Sequence, residues 1–100
     1  MTGYVAPVRD MRFVMRHIAD LAAVARLPGA EGAEPDLVDQ ILDEAARFAG
    51  GVLAPLNRPG DQEGSRLENG VVRTPAGFRE AYRSFVEAGW NSLPFDPEHG

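Results

Sequence analysis

The sequence predicts a mainly α-helical fold with about three helices and one short β-hairpin. Three observations carry this. Apolar residues recur at three- and four-residue spacings in three separate stretches, the pattern of one helix face. Clusters of Gly and Pro divide those stretches. One segment brackets an Asn-Gly pair with apolar residues, which marks a tight hairpin.

The first stretch is "VRDMRFVMRHIADLAAVARL", with Met11, Val14, Ile18, Leu21 and Ala25 on one face. Pro7 precedes it, where a missing N–H costs least. "LPGAEGAEP" ends it. The pattern is compatible with one helix or with two short ones. The second stretch runs from Asp36 to about Leu56, with Leu37, Ile41, Ala45, Phe48, Val52 and Leu56 in phase. Pro35 suits its first turn, and Asp36 and Asp39 put negative charge near the positive end of the helix dipole. Asp43 and Arg47 stand at the i,i+4 spacing of an exposed ion pair. Gly50-Gly51 predicts a bend or fraying, and Pro55 a limit to the helix.

"NRPGDQEGS" reads as a loop by composition. In "RLENGVVRT", Asn69-Gly70 suits a type I′ turn between Leu67 and Val71-Val72. Such a hairpin is marginal alone and must lean on something. The third helix is expected to start with Thr74 as N-cap and Pro75 as first residue. It presents Phe78, Ala81, Tyr82, Phe85 and Val86, and ends at Gly89 in a left-handed cap, with Trp90 packing back.

Composition limits function. One hundred residues suffice for one small domain, which buries only about 60–70% of its unfolded surface. A net charge of −5 argues against nucleic acid, whose phosphates need a basic surface. The absence of cysteine excludes disulfides, thiolate metal sites and a cysteine nucleophile. All ten basic residues are arginine, so no Schiff-base or P-loop lysine exists in this chain. No secretory signal is readable and no apolar run reaches the ~20 residues of a membrane span, so a cytoplasmic protein is expected. Residues 1–26 carry four Arg against two Asp, and residues 27–64 carry eight acids against two Arg. The acidic middle reads as a solvated helix face.

The sequence contains no self-sufficient catalytic or metal site. His17 and His99 are far apart in sequence and show no zinc spacing. Asp96, Glu98 and His99 gather three polar groups, but Pro97 interrupts them and a fourth ligand is missing. Asp39, Asp43 and Glu44 lie on the polar side of an amphipathic helix, where solvation is the expected role. Ser65, Ser84 and Ser92 lack the strand-turn-helix context of an activated nucleophile. Neither "GAEG" nor "GG" matches a dinucleotide-binding loop. The sequence therefore assigns no catalytic, cofactor-binding or metal residue.

The third helix and the loop after it carry a resemblance. "FREAYRSFVEAGWNSLPFDPEHG" resembles the N-terminal helical domain of acyl-CoA dehydrogenases, where a Gly-ended helix leads to a loop like P-E-x-G-G. Pro97, Glu98, His99 and Gly100 match its first four places. Upstream, Tyr4, Ala6, Pro7, Arg9, Asp10 and Phe13 are similar to a large bacterial branch with an N-terminal extension. Ala54, Pro55, Asn57, Gly60, Asp61, Glu63, Gly64 and Asn69-Gly70 are similar too. Gly50-Gly51 departs from the family helix.

The resemblance implies an extension over residues 1–34 and the start of the family's helical domain over residues 35–100, truncated. It also implies an FAD-dependent enzyme that oxidises an acyl-CoA to its trans-2-enoyl form. A glutamate there removes the α-proton while the β-hydrogen leaves as hydride to the flavin. Most FAD contacts and that glutamate are expected outside this chain, which alone would be inactive. An acyl-CoA substrate, an electron-transfer acceptor and a homo-oligomeric state are implied as well. Phe78, Tyr82, Phe85 and Trp90 become packing residues, and Arg9 and Arg12 are candidates for a CoA phosphate or a carboxylate. A free-standing helical interaction module is the alternative.

Overall fold

The first helical stretch divides at Asp20, whose backbone takes a left-handed conformation at φ 52°. The computed structural model describes residues 3–99. The chain separates between Ala54 and Pro55 into two units, each with its own packing.

In the first unit, α1 (Val8–Phe13) runs into a π-turn over Val14–Ile18, closed where the Ala19 N–H donates to the Val14 carbonyl at 2.9 Å. After the Asp20 break comes α2 (Leu21–Ala25). Asp20 is a residue type that tolerates left-handed geometry, and its carboxylate accepts the Ala23 N–H at 3.4 Å. Of the two alternatives the sequence allows, two short helices is the outcome. A 3-10 turn (Glu31–Ala33) leads to α3 (Pro35–Phe48). Pro35 occupies the first turn as expected, but the cap is Glu34, which accepts the Leu37 N–H at 3.0 Å. Both α1 and α2 pack against α3.

The Gly50-Gly51 pair neither frays nor ends the helix. Residues Ala49–Leu53 form a second π-turn, where a wider hydrogen-bond ring takes in one extra residue. Among the described residues 3–54, no side chain is fully buried.

The second unit opens with most of α4 (Ala54–Glu63). This overturns the loop reading of "NRPGDQEGS", since Asn57 to Glu63 are helical with Pro59 inside. Pro59 lacks a donor and disfavours the helix locally, but the next residue, Gly60, is buried against Phe78. Tertiary packing overrides propensity here. Strands β1 (Arg66–Glu68) and β2 (Val71–Arg73) pair antiparallel, with Leu67 opposite Val72. Asn69 and Gly70 take φ of 52° and 77°, the two positive values a type I′ turn requires.

The last helix, α5 (Phe78–Glu87), starts three residues later than Thr74-Pro75 suggested. Its N-cap is Gly77 at φ 88°, with no side-chain cap bond. The ordering group is remote: the Glu63 carboxylate accepts the Ala76 N–H at 3.1 and 3.3 Å. The expected left-handed Gly89 ends the helix at φ 84°, and a 3-10 turn (Trp90–Ser92) follows. Gly60, Pro75 and Ala81 are buried in this unit. The mainly helical class with one hairpin is as the sequence predicts.

Candidate functional site

The acidic face of α3 is not merely solvated. Arg12 and Arg16 stand four residues apart, and so do Asp39 and Asp43 on α3. The two ladders meet. Arg12 Nη2 donates to Asp43 Oδ1 at 2.6 Å and to the Asp39 backbone carbonyl at 3.2 Å. Arg16 Nη2 donates to Asp39 Oδ2 at 2.5 Å. Arg12 Nε is shielded from water and lies 3.3 Å from Asp39 Oδ1, off the line of its N–H. That contact is charge pairing rather than a hydrogen bond.

The expected Asp43–Arg47 pair is therefore replaced. Asp43 turns to Arg12, and Arg47 pairs with Glu44 one turn away. The Glu44 hydrogen bond, then its charge, push the Arg47 pKa further up; Asp43 adds a smaller increment.

An open depression of about 540 Å³ lies beside these pairs, lined by Arg9, Asp10, Arg12, Phe13, Arg16, His17 and Asp39. His17 leans on the Phe13 ring with centroids 5.0 Å apart. Arg12, one of the two candidates for an incoming anion, is already matched by carboxylates. Arg9 is exposed and makes no ion pair among the described residues. The arrangement ties α1 and the following π-turn to α3. Its internal charge balance leaves little field for an external anion.

The remaining sequence candidates are engaged locally. Asp96 accepts the Glu98 N–H at 2.9 Å through its carboxylate, and the His99 N–H at 2.9 Å through its carbonyl. These bonds shape a turn at Pro97, and Gly100, the fourth motif position, lies outside the described residues. Ser92 Oγ donates to the Gly89 carbonyl at 3.1 Å, securing the turn after α5. Ser65 and Ser84 are exposed. Among the described residues, no three His, Asp or Glu side chains gather to hold a metal ion, and no helix is long and apolar enough to cross a membrane.

The sequence carries a partial signal of this cross-helix cluster. Two oppositely charged i,i+4 ladders on neighbouring helices are its signal.

No family model matches the chain. It is 44% identical over 97 residues, 97% of its length, to 3-methylmercaptopropionyl-CoA dehydrogenase from Ruegeria pomeroyi. The chain spans 16% of that curated relative. Over nearly all of its length, the chain is homologous to a segment of an acyl-CoA dehydrogenase family member.

Proposed function

We propose that these residues are the N-terminal scaffold of an FAD-dependent acyl-CoA dehydrogenase, which converts an acyl-CoA thioester to the trans-2-enoyl-CoA. The observation that carries this reading is the 44% identity over 97% of the chain. In this reading residues 1–34 are an extension and residues 35–100 begin the helical domain. The flavin, the electron acceptor and the oligomer contacts belong to other parts of a cytoplasmic enzyme.

The residues in hand do not fit a flavin by themselves. The depression beside α1 is lined by Arg12 and Arg16 already matched with carboxylates, and no Gly-rich turn between a strand and a helix is present among the described residues to receive a pyrophosphate. We therefore assign them no catalytic, cofactor-binding or metal role. Scaffold duty agrees with exposed apolar residues outside the groove between β2 and α5, among them Leu67 and Phe95 at 74% and 61%.

The test compares two polypeptides, residues 1–100 and the product of the gene's complete reading frame. The complete product is expected to carry flavin absorbance that bleaches on adding an acyl-CoA, with 3-methylmercaptopropionyl-CoA in the panel. The 100-residue chain is expected to bind none. Flavin binding and dye-coupled oxidation by residues 1–100 would overturn the scaffold assignment. A complete product with neither property would overturn the dehydrogenase assignment.

A further inference from the structure

The second unit holds a groove of about 630 Å³ with two unlike walls. One is β2, through Val71, Val72 and Arg73; the other is the start of α5, through Phe78, Arg79 and Tyr82. No β1 residue lines it, so the groove follows the outer edge of the hairpin.

The register fixes what that edge offers. Glu68 and Val71 flank the two-residue turn and exchange hydrogen bonds, as do Arg66 and Arg73 two positions on. Val72, between them, is the residue whose N–H and C=O point away from β1. Val72 is 62% exposed, and Tyr82 on the opposite wall is 66% exposed. Arg73 and Arg79 are exposed and make no ion pair among the described residues. An open strand edge beside a helix, with apolar walls and two unmatched guanidiniums, is suited to an added strand. A two-stranded hairpin is marginal alone, and a third strand is the usual remedy.

We infer that this groove receives an extended segment of a partner polypeptide, added to β2 as a third strand. That segment presents apolar side chains to Val71, Phe78 and Tyr82, and carboxylates to Arg73 and Arg79. Main-chain bonds to Val72 supply affinity, and the two arginines select acidic over basic segments. This does not rest on the dehydrogenase reading.

The test measures amide hydrogen exchange and chemical shifts of the 100-residue chain by NMR. The probes are a short blocked peptide whose alternate positions are valine and glutamate in turn, with threonine between them so that both types share one strand face, and its valine–lysine counterpart. The glutamate peptide is expected to slow exchange at the Val72 amide and to shift Val71–Arg73 and Phe78–Tyr82 saturably. The lysine peptide is expected to do neither. The double variant Arg73→Glu/Arg79→Glu should weaken the glutamate peptide about tenfold or more and admit the lysine peptide. Tyr82→Ser, at an exposed site, should weaken the glutamate peptide while leaving the fold intact.

An unchanged Val72 amide with both peptides, or an equal response to both, overturns the proposal. Concentration-dependent shifts of the same amides without peptide would make a second copy the occupant and also overturn it. So would a Val72 amide already protected in the product of the complete reading frame, which would assign the groove to the same polypeptide.

Discussion

The two units hold their helices by opposite means. In residues 3–54 no described side chain is fully buried, and ion pairs from Arg12 and Arg16 to Asp39 and Asp43 cross between helices. In residues 55–99 three residues are buried, and the defining contacts are steric: Gly60 under Phe78, and Gly77 under Leu56. Charge pairs reach across a gap and tolerate small displacements. A glycine under a large side chain tolerates no added atom. The first unit should therefore respond to salt and charge removal, and the second to volume.

The largest effect is expected at Gly77. A Cβ there would lie 2.7 Å from Leu56 Cδ2, and φ is 88°. Gly77→Ala combines a clash with left-handed strain and should cost about 2–3 kcal/mol, read as a lower thermal midpoint. Gly77→Asn keeps the clash but tolerates the backbone better. A smaller loss for Asn than for Ala would separate the two causes, and equal losses would leave the clash alone responsible. Gly60→Ala should cost less, about 1–2 kcal/mol, because its Cβ would meet the Phe78 ring end at 2.6 Å and that ring can turn aside. An unchanged midpoint for both variants would end the steric account of this unit.

Glu63→Ala comes next, at about 1 kcal/mol, the range of a lost helix cap. Its carboxylate holds the Ala76 N–H just before α5. Accelerated exchange at the Ala76 amide is the local readout, and Glu63→Gln should restore part of the protection because an amide oxygen still accepts.

These contacts also explain how much of the fold is legible in the sequence. The hairpin is readable because Asn69-Gly70 is local chemistry, and α3 because its apolar phase is long and regular. The fate of "NRPGDQEGS" is not readable. Its Pro and Gly speak for a loop, while the contact that favours helix comes from Phe78, eighteen positions beyond Gly60. The start of α5 is misplaced for the same reason: Thr74-Pro75 is a good local cap, but the carboxylate that is used stands at Glu63. In the first unit the sequence leaves the break at Asp20 open, since an Asp in a helical phase gives no sign that it will adopt positive φ. The charge cluster is half visible. Each ladder lies in plain sequence, but their meeting depends on how α1 and α3 pack.

The smallest effects belong to the first unit and sharpen the contrast. Asp39→Asn removes the shared partner of Arg12 and Arg16. The pairs are about a third exposed, so the loss should be modest, about 0.5 kcal/mol. It should shrink at molar salt, where the Debye length falls to about 3 Å. A loss undiminished there would mean that Asp39 contributes by packing rather than charge. Arg47→Ala is the control. Arg47 pairs with Glu44 on the same helix, both side chains are more than 60% exposed, and neither joins α3 to another element. Its removal should leave the thermal midpoint unchanged at any salt concentration. A clear drop would mean that intrahelical charge, rather than the α1–α3 bridge, is what holds the first unit together.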